Sequence, residues 1–170
     1  MSATASSDGA IRLMPPSIET SLAVDVDATS TIPPTAAIVG VFVAPTGDVD
    51  GRLGVDRSQL DGHGFTGTVG NTLLVTSTDG TPGVAIGLGD PGSVTASSLR
   101  DAAASFARAA GKRVDLAIVA PTAAGVAPAE VAQALVEGVL LARYTFDALR
   151  TEPRGTPVRG EHRGGQVAVR

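Results

Sequence analysis

Gly83-Val84-Ala85-Ile86-Gly87-Leu88-Gly89, the series Leu99, Ala103, Phe106, Ala110, the run Leu116-Ala117-Ile118-Val119-Ala120 and the series Val131, Leu135, Val139, Arg143 together decide the fold. The first and third are unbroken apolar runs, the pattern of strands buried on both faces. The second and fourth recur three or four residues apart, which draws one stripe along a helix. Strand, helix, strand, helix requires each helix to cross over between parallel strands. The chain is therefore expected to be an α/β domain with a mixed, largely parallel sheet flanked by helices.

Local signals bound these elements. Ser98 with Asp101 three residues on reads as a capping box at the start of the first long helix, with Asp in place of the usual Glu. Gly111 is a left-handed stop at its end, and Lys112-Arg113 complement the negative end of its dipole. Pro128 opens the second helix, with Glu130 near its positive end, and Tyr144 closes it. Upstream, Ala37-Ile38-Val39-Gly40-Val41-Phe42-Val43 is another buried strand, ended by Pro45. Thr72-Leu73-Leu74-Val75-Thr76 is strand-like, and Leu22-Ala23-Val24-Asp25-Val26 alternates as a half-buried strand would. Residues 46–64 form a Gly- and Asp-rich connector with a short helix expected around Val55–Leu60. Residues 1–20 are small, polar and Pro-punctuated, and are expected to be disordered. Residues 151–170 are rich in Arg and Gly with few apolar residues, too little to bury for order. The expected domain is residues 21–150.

With 170 residues there is material for one core, and 43% apolar residues can fill it. Aromatics are only 3% and Trp is absent, so that core must be Val, Leu, Ile and Ala. The absence of cysteine removes disulfides, thiolate metal sites and cysteine nucleophiles together. Two histidines, His63 and His162, cannot build a histidine-rich metal centre. The net charge of −4 hides an asymmetry: residues 1–150 hold nine Lys and Arg against fifteen Asp and Glu, hence −6, and the last twenty residues carry +2. An acidic body argues against nucleic acid or an anionic membrane as partner, because phosphate contacts need clustered basic residues. There is no run of the roughly 20 apolar residues that a membrane span needs, and the polar start carries no secretory pattern. The expected location is the cytoplasm.

Motifs that could carry chemistry are few. Gly62-His63-Gly64-Phe65-Thr66-Gly67 matches a dinucleotide fingerprint in letters but leads into a strand, where the fingerprint requires a helix. Gly87-Leu88-Gly89-Asp90-Pro91-Gly92 does leave a strand and precede a helix. Several residues separate its third glycine from that helix, so it reads first as a plain strand-to-helix turn, with Gly87, Gly89 and Gly92 and the helix-start Ser97 and Ser98 as the alternative, a phosphate-binding loop. Asp48-Val49-Asp50-Gly51 has the glycine of a calcium loop two positions early and reads as a polar turn. His63, flanked by glycines, reads as an exposed loop imidazole. No catalytic or metal-ligating residue is assigned.

Four segments in order resemble the N-terminal domain of the leucyl (cytosol) aminopeptidase family. They are Gly64-Phe65-Thr66-Gly67-Thr68-Val69-Gly70-Asn71-Thr72-Leu73-Leu74, Val84-Ala85-Ile86-Gly87-Leu88-Gly89-Asp90, the helix Leu99–Ala110, and Val136-Glu137-Gly138-Val139-Leu140-Leu141-Ala142-Arg143-Tyr144-Thr145-Phe146-Asp147. The last carries most of the weight. Gly138 would let its helix approach the sheet closely, Tyr144 and Phe146 would anchor the helix end, and the glycines after Phe65 would supply positive φ.

The resemblance implies a domain similar to macro domains, with three α/β/α layers, preceding a larger catalytic domain. In that family the larger domain holds two divalent metal ions and removes N-terminal residues from peptides with metal-activated water. Its ligands, and its N-T-D-A-E-G-R string, match no position here, so no cofactor and no catalytic residue is carried over. The leading expectation is a non-catalytic domain acting in assembly or active-site access. Its partners would be the catalytic half of an aminopeptidase or further copies of itself, since the family forms hexamers. The alternatives are a macro-like module for ADP-ribose or a related nucleotide, resting on fold analogy, and a nucleic-acid adaptor, which the acidic body opposes.

Overall fold

The computed structural model describes residues 24–77, 80–123 and 125–144 and the backbone of residues 166–169. Among these, six strands form one sheet: β1 (Asp25–Ala28), β2 (Ile38–Val43), β3 (Thr72–Thr76), β4 (Pro82–Gly87), β5 (Leu116–Val119) and β6 (Gln166–Val169). Their order across the sheet is β1-β6-β5-β2-β4-β3. All neighbours are parallel except β3, which pairs antiparallel with β4 at one edge. The expected α/β architecture is present. The helices are α1 (Arg57–Gly62), α2 (Ala96–Ala109) and α3 (Pro128–Arg143).

Strand periodicity sorts the side chains into two cores. Ile38, Val84, Ile86, Leu116 and Ile118 point to one face and pack under α2 and α3. Val39, Val41, Val43, Ala85 and Ala117 point to the other and meet Leu53, Leu60 and Phe65 from a 3-10 turn (Gly51–Leu53), α1 and the loop after it. The α2 stripe is buried at all four expected positions, with Phe106 fully enclosed. The register row Gly40–Val84–Leu74 runs beneath it. Gly40 is what admits the Phe106 ring, since a Cβ there would lie 2.9 Å from two of its carbons and 2.8 Å from Ile86 Cδ1.

Several expectations need correction. The first strand covers Asp25–Ala28, displaced from the expected 22–26, and its residues are exposed; Leu22 and Ala23 lie outside the described residues. The capping box of α2 is Thr95 with Ser98, one turn earlier than Ser98 with Asp101. The Thr95 hydroxyl accepts the Ser98 N–H at 3.1 Å, and the Ser98 hydroxyl accepts the Thr95 N–H at 2.9 Å. A serine hydroxyl can fill the role usually given to Glu, so the box can start where the helix does. The short connector helix is α1, starting at Arg57, with a capping box of Asp56 and Gln59. The tail expected to lack order contributes β6, inserted between β1 and β5. Val167-Ala168-Val169 is its one apolar stretch, and two neighbouring strands offer the backbone partners an isolated segment lacks. The rest of the tail and residues 1–20 lie outside the described residues.

Candidate functional site

In open α/β sheets, ligands gather beyond the carboxyl ends of parallel strands, where backbone N–H groups and helix starts converge. Here that place, above β2 and β4, is filled by residues 65–71. Gly67 has φ +70° and sits against Ala44 and Pro45, and Gly70 has φ +87°, the conformations expected of these glycines. Thr68 presses onto Gly87 so tightly that a Cβ on Gly87 would lie 1.9 Å from the Thr68 carbonyl oxygen. The Asn71 side chain fastens the loop by accepting the Thr66 N–H at 2.8 Å.

The candidate phosphate residues therefore face the protein's own groups. Gly87, at the end of β4, donates its N–H to the Asn71 carbonyl at 2.9 Å, and Leu88 donates to Val43 at 3.0 Å. Gly89 donates to Gly67 at 2.9 Å. Gly92 lies in a second 3-10 turn (Pro91–Ser93) and donates to the Asp90 carboxylate at 3.1 Å. Ser97 and Ser98 stand in the first turn of α2, Ser97 exposed and Ser98 engaged in the capping box. An anion cradle needs several N–H groups free and convergent; four of these are committed, and a carboxylate shares the loop. The two glycine motifs let one loop close over the strand ends.

A cleft of about 410 Å³ opens elsewhere, beside the amino ends of β2 and β4. Val39, Val41 and Leu53 line it together with Ile32, Arg52 and Ser77. Its polar groups are engaged: Arg52 pairs with Asp50, and the Ser77 hydroxyl donates to the Arg52 carbonyl at 2.8 Å. Asp50 caps the Gly51–Leu53 turn, the polar turn expected of that stretch. His63 follows α1 and is exposed, again as expected. Among the described residues, no three His, Cys, Asp or Glu side chains lie together where they could hold a metal ion. This residue set does not fit a two-metal centre.

The α2–α3 contact carries the remaining charged chemistry. Gly138 serves helix-to-helix approach, where helix-to-sheet approach was expected: a Cβ there would lie 2.3 Å from the Arg100 carbonyl oxygen and 2.9 Å from Ala103 Cβ. Beside it Arg100 and Glu137 form an ion pair, with Nη2 and Nε 2.6 and 2.8 Å from Oε2. A hydrogen bond from Gln133, then the Arg100 contact, hold the Glu137 carboxyl below its ordinary range. A lowered acid stabilises the fold above its unfolded range and ceases to as pH falls through its folded value. Glu137→Gln should thus melt below the parent at neutral pH, and the gap should narrow below the ordinary glutamate value of about 4.5. Melting curves over that range check this. Tyr144, expected as an anchor, is 44% exposed, beside Leu141 at 67%; Phe146 lies outside the described residues. Sequence reasoning also missed Arg143's role. It reaches from the last turn of α3 to the Gly111 carbonyl at 3.2 Å, and burial lowers its pKa from the usual arginine value.

No helix among the described residues is long and apolar enough to cross a membrane. Known proteins resemble the chain in one consistent way. The family model for the cytosol aminopeptidase family, N-terminal domain, matches residues 50–153, more than half of the sequence. A probable cytosol aminopeptidase of Cenarchaeum symbiosum (strain A) is 33% identical over 120 residues, which is 68% of this chain and 24% of that protein. The bottromycin maturation enzyme BotP in complex with Mn superposes with a TM-score of 0.63 at 27% identity, over 80% of this chain and 27% of that one. A tomato leucine aminopeptidase mutant shares the fold, with a TM-score of 0.57 at 15% identity, over 86% of this chain and 32% of that one. The chain thus spans about a quarter of the curated relative it matches. With the family model, the archaeal relative and the shared fold in agreement, the chain belongs to the cytosol aminopeptidase family and corresponds to its N-terminal domain.

Proposed function

We propose that this chain is a non-catalytic domain of a metal-dependent aminopeptidase, acting in assembly or in access to an active site carried by a separate catalytic domain. The observation that carries the reading is the location of the family match: it falls on the N-terminal domain and on about a quarter of a probable cytosol aminopeptidase. The closed strand ends above β2 and β4 support it, since they commit to internal hydrogen bonds the groups a small-molecule site would need. Two divalent metal ions, and the activated water they supply for attack on the scissile carbonyl, would belong to the catalytic domain. The expected compartment is the cytoplasm.

The test is direct. The chain, incubated with Mn²⁺ or Zn²⁺ and leucine p-nitroanilide, should release no p-nitroaniline above the metal-only control. Turnover that disappears with a chelator overturns the reading.

A further inference from the structure

We propose that the outer edge of β3 is a self-association surface, and that a second copy of this chain pairs with it across a two-fold axis at Leu74. This deepens the assembly reading and rests on it for biological purpose, while its physical readout is separate. β3 ends the sheet, with no neighbouring strand on its outer side among the described residues. Exposed edges in natural proteins are usually blunted by Lys, Pro or a bulge. This one reads Thr72-Leu73-Leu74-Val75-Thr76, with no charge and no proline. Leu74 is 55% exposed at its centre.

The edge is self-complementary. The Gly87 N–H donates to the Asn71 carbonyl, so Asn71, Leu73 and Val75 turn their backbone groups toward β4. Thr72, Leu74 and Thr76 turn theirs outward. A two-fold axis perpendicular to the sheet places Leu74 opposite its own copy and Thr72 opposite the copy's Thr76. Each such pair can exchange two backbone hydrogen bonds, and like side chains meet like.

Helix α2 supplies charge complementarity on the same axis. Phe106 lies on the row Gly40–Val84–Leu74, so the C-terminal half of α2 is level with Leu74. Arg100 and Ala103 face α3, and the helical turn puts Asp101, Ser105 and Arg108 on the opposite side, toward β3. Ser105 confirms that placement, because its hydroxyl would lie 3.8 Å from a Cβ on Gly70. Two copies of α2 related by the axis run antiparallel, which brings Asp101 of each within about one helical turn of Arg108 of the other along the helix axis, inside the reach of an arginine side chain. Both residues are exposed.

The experiment is sedimentation equilibrium of the full 170-residue chain with two sets of variants. The parent should show a dimer population that grows with concentration. Leu74→Lys, which sets two like charges face to face, should raise the dimer dissociation constant at least about tenfold. Asp101→Arg should weaken the dimer, and Asp101→Arg with Arg108→Asp should restore it. In the dimer, amide exchange should slow at Thr72, Leu74 and Thr76 relative to Leu74→Lys, and stay unchanged at Leu73 and Val75. A parent that remains monomeric, a Leu74→Lys chain that dimerises as well as the parent, or a charge swap that fails to restore pairing overturns the proposal. Chelator-sensitive peptidase turnover would instead overturn the non-catalytic reading and leave this one standing.

Discussion

Gly138→Val should cost the domain about 3 kcal/mol or more, enough to place its unfolding midpoint far below the parent's in urea. The reason lies in the α2–α3 crossing. Even the first carbon of a side chain at Gly138 would sit 2.3 Å from the Arg100 carbonyl oxygen. That oxygen belongs to helical backbone and cannot rotate aside, so the helices must separate. Separation would loosen Ala103, Leu135 and Val139 in the core and stretch the Arg100–Glu137 pair. Gly138→Ala is the sharper control. In an isolated helix that change stabilises by about 1 kcal/mol. In the folded domain it should destabilise, because the Cβ alone makes the collision. A Gly138→Ala domain as stable as the parent, measured by urea unfolding, would show that the crossing has slack.

What the residues disclosed and what they withheld divide along a physical line. Ile38–Val43, Gly83–Gly87 and Leu116–Val119 are buried from both sides, so every position is apolar and the run is visible without knowing its neighbours. The α2 stripe and the left-handed Gly111, at φ +63°, are similarly local signals. The partner of Gly138 is non-local: the missing side chain shows that something approaches, and only the tertiary structure says it is Arg100. β6 was hidden because four residues have no intrinsic reason to be a strand until β1 and β5 flank them. The Asp56–Gln59 box was legible, since D-x-x-Q is a capping signature, but it lay in a stretch dominated by Gly and Asp.

The glycine loop after β4 reads ambiguously in the sequence for a related reason. Gly87, Gly89 and Gly92 have the residue types of a phosphate loop because phosphate loops and tight loop packing need the same thing, backbone without side chains. Letters report the vacancy and are silent about what fills it. Here the occupant is the Gly67–Asn71 segment, whose carbonyls take the Gly87 and Gly89 N–H groups. The family resemblance drew on both sides of that contact, the segment from Gly64 and the segment from Val84, although the segment from Val136 to Asp147 carried most of it.

Phe106→Ala is expected to be the most damaging single truncation, lowering stability by about 3–5 kcal/mol. Phe106 is fully buried and is the largest of the completely enclosed side chains in a chain with few aromatics. Its ring occupies the depression left by Gly40 on the central strand β2. Because that depression and the ring are matched, the two positions should couple. Gly40→Ala alone would press a methyl group to 2.9 Å from the ring and 2.8 Å from Ile86 Cδ1, and should cost about 1–3 kcal/mol. With Phe106→Leu already in place, the same methyl group enters vacated space and should cost far less. Urea unfolding of the two single variants and the double variant closes the cycle, and their interaction energy should be at least about 1 kcal/mol in favour of the double. Additive costs would mean that Phe106 and Gly40 are independent. The two helices would then be held to the sheet by the aliphatic rows of Ile38, Val84, Ile86, Leu116 and Ile118 alone.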